Sequence, residues 1–325
     1  MRTNVFITID TETSIGGHFS NPLLKPVGSK KRIYGEVSGK SYGIPLIIKI
    51  ADSYDVRLTF FVEVLNHYYF GKEEMYNVCD YIMKKGHDVQ LHLHPNYLNF
   101  KLEDSSSLKF SDNMSAYDVD TQSEIIKEGK ALLIEYGVKN PIAFRAGNYG
   151  FNIDTLKALS KNNLLYDSSY NAAFLSPNNS VSKIFINDVK KIENVFEFPI
   201  TNFNQKVFNT KKTRPLDING AGFEEIRKTL EWSSKNQIKN ITVIMHSFSF
   251  FKALDVQYNR CRVMKKIIAR FEKLCRFLNE NRDKYNSIFF NEIDIESLSG
   301  IDYNKIFRMP FFPTAKRMLE QIMTR

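Results

Sequence analysis

The chain offers little that could be cross-linked through sulfur. Its 325 residues include only three cysteines, Cys79, Cys261 and Cys275, which are scattered and lack the spacing of a zinc cluster. It also has no uninterrupted apolar run long enough to cross a bilayer, no internal repeat and no low-complexity tract. We therefore expect a soluble globular protein, in which the cysteines are buried thiols rather than a disulfide framework.

The start of the sequence does not have the pattern of a signal peptide. Residues 4–10 are apolar for only about one strand's length, and no small-residue cleavage site follows them. We expect a cytoplasmic protein, with peripheral contact at the inner face of the membrane as an open alternative.

Positive charge is in excess, with 45 Lys and Arg residues against 36 Asp and Glu residues, a formal charge of +9. Such a balance attracts anionic partners, and both a phosphate-bearing substrate and an acidic membrane fit it. Nucleic acid is not expected, because the chain has no finger, basic zipper or aromatic RNA-binding signature.

Short strand-like apolar runs alternate with longer helix-like runs, which is typical of parallel βα units. The predicted strands are residues 4–10, 57–63, 87–93, 142–145, 164–168, 195–199, 240–246 and 287–292. The predicted helices are residues 45–53, 73–85, 121–136, 152–162, 222–235 and 259–281. This order predicts an α/β fold, and the length suits one large barrel domain over residues 1–299.

Three segments fall outside this alternation. Residues 16–42 and 98–120 are long insertions after the first and third strands, where a parallel barrel builds its active site, so they are candidate substrate-binding walls. Residues 300–325 form a basic tail with a short amphipathic helix predicted from residue 314. That helix could pack on the barrel or contact an acidic membrane, and the sequence does not separate the two.

Two carboxylates follow the first strand. Asp10 and Glu12 are two residues apart, so in extended structure their side chains share a face. Burying both is costly without a cation or a proton between them, and a metal ion is one solution. An isolated Asp-x-Glu would more simply be a turn cap beside a solvated carboxylate.

The third predicted strand ends in a pair of histidines. His92 and His94 share a face, and Pro95 ends the strand. Paired histidines also occur as hydrogen-bonded core residues, but the acidic strand end elsewhere in the chain favours metal ligation.

Arg145 ends the fourth strand and leads into a turn formed by Gly147, Asn148 and Tyr149. Arginine can bind a carboxylate through two hydrogen bonds, and the glycine allows backbone amides to face a ligand. A structural salt bridge is the simpler role for Arg145, and it is compatible with positioning a catalytic aspartate.

Two further strand ends carry ionisable residues. His246 follows a strongly apolar strand and could act as a general acid, although a lone histidine there is more often a satisfied interior residue. Asp167 lies in Tyr-Asp-Ser-Ser, which is ordinary turn chemistry and the least specific of these signals.

In order and wording, these segments resemble the five motifs of the polysaccharide deacetylases, carbohydrate esterase family 4. The closest likeness is to the lipopolysaccharide and O-antigen biosynthesis branch, in which the sequence motifs of residues 86–95 and 144–147 also appear. The resemblance spans Asp10 to His246. It implies a distorted (β/α) barrel of six to eight strands, with its active site at the carboxyl ends of the strands.

The resemblance also implies roles for the catalytic group. Asp10 matches the general base, Arg145 the residue that orients it, and His246 the general acid. Asp167 matches the fourth motif only loosely. Further substrate contacts fall on Ile244, beside the acetyl methyl group, and on the turn after Arg145, which contains Gly147, Asn148 and Tyr149.

The implied metal site departs from the family pattern at two positions. Thr11 stands where the family has a metal-binding carboxylate, and Asn96 stands where it has the second histidine. If a divalent ion, most simply Zn²⁺, is bound, Glu12 and His94 must take over these ligand positions beside His92.

The function implied is removal of an N-acetyl group from an amino sugar of a cell-envelope glycan, or of its nucleotide- or lipid-linked precursor. The two departures leave open a carbohydrate-binding barrel that has lost catalysis. A deacylase or deformylase of another small amide is compatible with the same chemistry. An unrelated metal-dependent amidohydrolase fits less well, since its His-x-His pair lies on the first barrel strand, not the third.

Overall fold

A computed structural model describes residues 2–102, 108–175, 181, 187–207, 210–298 and 305–322. The strands in these residues are β1 (Thr3–Thr11), β2 (Glu36–Val37), β3 (Lys40–Ser41), β4 (Leu58–Glu63), β5 (Asp88–Leu93), β6 (Ala143–Ala146), β7 (Tyr166–Asp167), β8 (Lys190–Ile192), β9 (Val195–Glu197), β10 (Asn202–Val207), β11 (Thr210–Pro215), β12 (Asn240–His246), β13 (Phe251–Ala253), β14 (Cys261–Val263), β15 (Tyr285–Ser287) and β16 (Phe307–Arg308). The α-helices are α1 (Ser29–Arg32), α2 (Ile44–Asp52), α3 (His67–Phe70), α4 (Lys72–Lys84), α5 (Val119–Glu135), α6 (Ile153–Lys161), α7 (Phe223–Lys235), α8 (Lys265–Glu280) and α9 (Phe311–Ile322). None of the helices described is long and apolar enough to cross a membrane.

The main sheet has the order β12-β1-β4-β5-β6-β7-β9-β8, and β15 pairs with the start of β1. Its neighbours are parallel except β8 and β9. The gap between β9 and β12 is bridged by irregular chain, because Thr201 donates its backbone N–H to Thr242, and Leu216 and Ile218 exchange backbone hydrogen bonds with Ile244. The predicted distorted (β/α) barrel is confirmed.

An aromatic cluster fills the barrel interior. Phe290 lies 4.8 Å from Phe6, 5.6 Å from Phe61 and 5.3 Å from Phe198, measured between ring centroids. The predicted strand at residues 287–292 is therefore wrong beyond residue 287. The chain turns inward as a 3-10 helix, Phe290–Glu292, because its apolar side chain fills the barrel rather than extending the sheet.

The long helix predicted from residue 259 begins only at Lys265. Before it, β14 pairs antiparallel with β13, and the carboxylate of Asp255 accepts backbone N–H groups from Gln257, Asn259 and Arg260 in the intervening loop. A side chain that captures backbone donors in this way competes with helix formation. The sequence pattern also gave no sign of the β10–β11 hairpin, which pairs with β16 in a separate three-stranded sheet.

Candidate metal centre

The predicted site residues come together because they end neighbouring parallel strands. In the strand register, Asp10 of β1 lies beside His246 of β12, and His92 of β5 lies beside Arg145 of β6. The strand ends surround a cavity of about 280 Å³. The residues lining it are Asp10, Glu12, His92, His94, Ala146, Asn148, Tyr149, Phe174 and His246.

Three of these side chains could hold a metal ion. The Oε2 atom of Glu12 lies 2.7 Å from Nε2 of His94 and 3.3 Å from Nε2 of His92. One ligand atom from each of the three residues falls within 4.8 Å of the others. Two imidazole nitrogens and one carboxylate oxygen are a donor set that Zn²⁺ and similar ions accept, with room for a water or substrate oxygen.

The ring nitrogens on the far side of both histidines are held by the protein. Nδ1 of His92 lies 2.8 Å from the carbonyl oxygen of Arg145, and Nδ1 of His94 lies 2.9 Å from Oδ1 of Asp112. Asp112 is itself held by the side-chain amide of Asn148 at 2.6 Å. Contacts of this kind orient metal-binding histidines and leave Nε2 as the ligand atom. The residues present therefore fit a divalent ion.

Gly147 gives His94 the space it occupies. A Cβ atom on Gly147 would meet three atoms of the His94 ring at 2.6 to 2.8 Å, much closer than van der Waals contact. The glycine of this motif thus packs under a metal-ligand candidate and does not itself line the cavity. Asn148, beside it, takes a left-handed conformation with φ of 54°, which aims its amide at Asp112.

Glu12 also contacts an arginine from the first insertion. Its Oε1 atom accepts a hydrogen bond from Arg32 at 2.9 Å, and the Arg32 guanidinium lies 3.3 Å from the centre of the Phe248 ring. Burial alone would raise the pKa of Glu12, but the charge of His94, hydrogen bonds from both histidines and the charge of Arg32 hold it well below the usual range. The carboxylate is therefore ionised, with Oε2 directed at the histidines.

Arg145 fixes Asp10 from beneath the cavity. The guanidinium is fully buried and donates to Oδ1 of Asp10 at 2.6 Å, to Thr8 Oγ1 at 2.9 Å, and to both the carbonyl and the hydroxyl of Ser168 at 2.9 Å. The role implied for Arg145, orienting Asp10, agrees with this geometry. In the Tyr-Asp-Ser-Ser motif, the residue that contacts Arg145 is the first serine, Ser168.

Asp167 lies away from the cavity, in contact with Ser169 and beside Glu197 in the β7–β9 register. Both carboxyl groups are fully buried, and burial raises the pKa of each. Oδ2 of Asp167 and Oε2 of Glu197 have no hydrogen-bond donor among the described residues. We conclude that the two side chains share a proton. Asp167 therefore belongs to the buried structure beside the barrel strands and not to the cavity.

The general-acid candidate, His246, lies near an aspartate that the sequence did not single out. The side chain of Asp217 is partly buried, and desolvation raises its pKa, while the charge of His246 acts in the opposite direction. Asp217 belongs to the irregular chain that closes the barrel, so no periodic strand pattern marks it in the sequence.

Tyr149 and Phe174 stack with ring centroids 5.7 Å apart and form an apolar wall of the cavity.

Not every predicted contact reaches the cavity. Ile244 is 1% exposed and closes the barrel through its backbone, so a role beside a substrate methyl group stays a prediction. Neither Thr11 nor Asn96 lines the cavity, whereas Glu12 and His94 do, and they form the possible ligand group with His92. That Glu12 and His94 replace the usual ligands of the resembled family stays a prediction. The sequence reasoning missed Arg32 and Asp112, which lie in the two insertions.

The fold has relatives among solved structures. No protein-family sequence model matches the chain, and no curated protein matches it in sequence. A Mycobacterium smegmatis structure, provisionally described as a polysaccharide deacetylase, superimposes with a TM-score of 0.56 at 15% identity, over 95% of this chain and 94% of that one. The two proteins share a fold.

Looser likenesses have TM-scores below 0.5. A family 4 carbohydrate esterase from Streptomyces lividans gives 0.44 at 12% identity, covering 88% of this chain and 92% of that one. A pseudoenzyme of the same esterase family from Bacillus anthracis gives 0.42 at 12% identity, covering 95% of this chain and 70% of that one.

We expect the purified protein to hold about one divalent ion when supplied with zinc, and His92→Ala to lose it, since one of three ligands is removed. Elemental analysis of dialysed protein measures the stoichiometry. The matched control is His67→Ala, because His67 of α3 pairs with Glu128 of α5 and lies outside the cavity. Equal metal content in wild type and His92→Ala would contradict the site.

Gly147→Ala is expected to weaken the same metal site by about 10- to 100-fold, comparable to loss of an outer contact of a metal ligand, because the added methyl group displaces the His94 ring. Competition with a chromophoric chelator measures the affinity. Gly39→Asn is the control, since a Cβ there meets nothing within 4 Å and asparagine tolerates the left-handed conformation of this residue. An unchanged affinity in Gly147→Ala would show that His94 is not a ligand.

Glu197→Gln is expected to make the fold less sensitive to alkali. Burial raises the pKa of Glu197 in the folded state. The shared proton therefore stabilises the fold fully at low pH, and this stabilisation is lost as pH rises through the raised pKa. Glutamine can still accept from the Tyr170 N–H and can donate to Asp167. Melting temperatures from about pH 6 to about pH 9 should fall less for Glu197→Gln than for wild type or the exposed control Glu193→Gln. Parallel curves would refute the shared proton.

Proposed function

We propose that the protein is a metal-dependent hydrolase that removes an N-acetyl group from an amino sugar of a cell-envelope glycan or its nucleotide- or lipid-linked precursor. The observation that carries this proposal is the meeting of a three-residue ligand set, an arginine-held aspartate and a histidine around one cavity. The positive charge of the chain favours a phosphate-bearing substrate. Zn²⁺ is the ion that best fits the ligand types.

Glu12, His92 and His94 would hold the ion. When bound, it would polarise the amide carbonyl and make a coordinated water more acidic. Asp10 accepts the proton of the attacking water, and Arg145 keeps the carboxylate pointed at it through the 2.6 Å contact. The water oxygen bonds to the carbonyl carbon.

His246 lies beside Asp10 at the edge of the cavity, on the neighbouring strand. Its imidazolium donates a proton to the amide nitrogen as the carbon–nitrogen bond breaks, which releases acetate and a free amine. The stacked Tyr149 and Phe174 provide an apolar surface for a sugar ring or the acetyl methyl group. The same steps would hydrolyse a formyl or other small acyl amide.

A second candidate function is carbohydrate binding without catalysis. It is favoured by the contact between Arg32 and Glu12, because the carboxylate is already neutralised by a protein cation. Burial lowers the pKa of His94, but the charges of Glu12 and Asp112 outweigh it and raise that pKa well above the usual value, which favours a cationic imidazole beside the same carboxylate. On this alternative, calorimetry would show saturable sugar binding in the absence of a bound metal ion, and no acetate would be released.

Asp10→Asn is expected to lower kcat for acetate release by about 10²- to 10⁴-fold, the range for removing a general base, while metal content is unchanged. Release is measured by an enzyme-coupled acetate assay on chito-oligosaccharides and UDP-linked N-acetylhexosamines. The control is Asp120→Asn, an exposed residue of α5. Turnover by wild type and Asp10→Asn at the same rate would contradict the role of Asp10.

A further inference from the structure

The helix α9 is oriented opposite to an ordinary surface helix. Its apolar side chains Phe311, Phe312 and Leu319 are 65%, 77% and 60% exposed, whereas Thr314 and Arg317 are 1% and 4% exposed. Surface helices normally bury their apolar stripe and expose their polar face. Here the polar face is buried and the apolar face meets solvent.

Polar contacts hold α9 in this orientation. Arg317 lies 2.9 Å from the fully buried carboxylate of Glu225 on α7, and it donates to Gln205 of β10 at 3.0 Å. Glu320 pairs with Arg270 of α8 at 3.3 Å. Ionic and amide partners hold the helix on both sides. A rotation that buried Phe311 and Phe312 would therefore separate Arg317 from Glu225 and leave the buried carboxylate of Glu225 unpaired. The outward apolar face is therefore built into the fold.

Lysines on three elements, here called the lysine border, lie on or beside α9. Lys316 is exposed on α9 itself, and Lys266 of α8 donates to the backbone of Glu320 at 3.3 Å. Lys212 is exposed on β11 opposite Gln205 of β10, so it shares the sheet face that contacts Arg317. Of the nearby acids, Glu225 and Glu320 pair with arginines, and Glu224 lies 4.0 Å from Lys316 itself. Basic residues are still in excess in the cleft between α9 and the start of α8, where Arg262, Lys265, Lys266 and Arg270 lie with Glu320.

We propose that α9 and its lysine border dock the protein on an anionic membrane surface. Aromatic and leucine side chains on one face, with lysines around them, are the features by which a helix lies in a lipid headgroup layer. A second copy of the chain is a poorer occupant, since its identical lysine border would be brought close to this one. This proposal goes beyond the proposed function and does not depend on it.

The docking surface is structurally connected to the cavity. Arg270, the partner of Glu320, also donates to the carbonyl of Ile218 at 2.6 Å, and Ile218 follows Asp217, the aspartate near His246. Docking of α9 would thus place the membrane within a few packed residues of the general-acid candidate. Such a position suits a substrate held at the lipid surface.

Vesicle co-sedimentation of the full chain tests the proposal. Wild type is expected to bind vesicles of equal parts phosphatidylglycerol and phosphatidylcholine, and to bind phosphatidylcholine alone far more weakly. The triple variant Phe311→Ser, Phe312→Ser, Leu319→Gln should lose more than about tenfold in partitioning, because three partly inserted side chains are removed. Lys212→Gln and Lys316→Gln should each cost about fivefold on anionic vesicles only.

The control is Leu23→Gln, because Leu23 is 89% exposed and lies in the first insertion, far along the chain from α9. It should bind like wild type, and matching circular-dichroism melts would show that the triple variant is folded. Absence of wild-type binding to anionic vesicles would overturn the proposal. So would equal binding by the triple variant, or a wild-type dimer that the triple variant converts to a monomer while vesicle binding is unchanged.

Discussion

The guanidinium of Arg145 is the interaction on which the site depends. It is fully buried, makes four hydrogen bonds and lies 4.3 Å from the centre of the Phe61 ring. A buried arginine is tolerated only when its donors are satisfied, and removing one partner of such a pair costs about 3–5 kcal/mol. Because Thr8 and Asp10 lie on β1 and Ser168 directly follows β7, their contacts with Arg145 tie β1 and the chain after β7 to β6. The same residue positions a catalytic candidate and holds the barrel together.

Charge in the cavity is balanced by a chain of alternating partners. Arg32 contacts one oxygen of Glu12, the histidines contact the other, and Asp112 contacts the far side of His94. A divalent ion at this place would have to displace the proton from Nε2 of His94. Metal affinity is therefore coupled to proton release, as for other sites built from histidine and carboxylate.

Much of the barrel could be predicted from the sequence, because buried parallel strands are short apolar runs that end in polar residues. The strand β12 matched its predicted bounds, and β1 differed by one residue at each end. For the same reason the sequence places Asp10, His92 and His246 at one edge of the sheet. Each lies at the end of a strand or one residue before it, and the ends of parallel strands meet.

The remaining site residues depend on contacts that no local period records. Arg32 and Asp112 lie in insertions, and Asp217 lies in the irregular chain that closes the barrel. The role of Phe290 could not be anticipated either, since an aromatic residue in a short apolar run fits a strand as well as an inward turn. Interior packing decided in favour of the turn. The orientation of α9 was likewise set by a buried ion pair, whose two members are 92 residues apart in the chain.

The position of β1 affects how the chain can fold during synthesis. Residues 3–11 pair with β4 on one side, but their other neighbours are β12 and β15, which end at residues 246 and 287. At ribosomal rates of roughly 5–20 residues per second, β1 is synthesised about 15 to 60 seconds before its last partner, β15. During that interval its apolar edge is unpaired. The nascent protein is thus expected to need protection from aggregation until nearly the whole barrel has emerged.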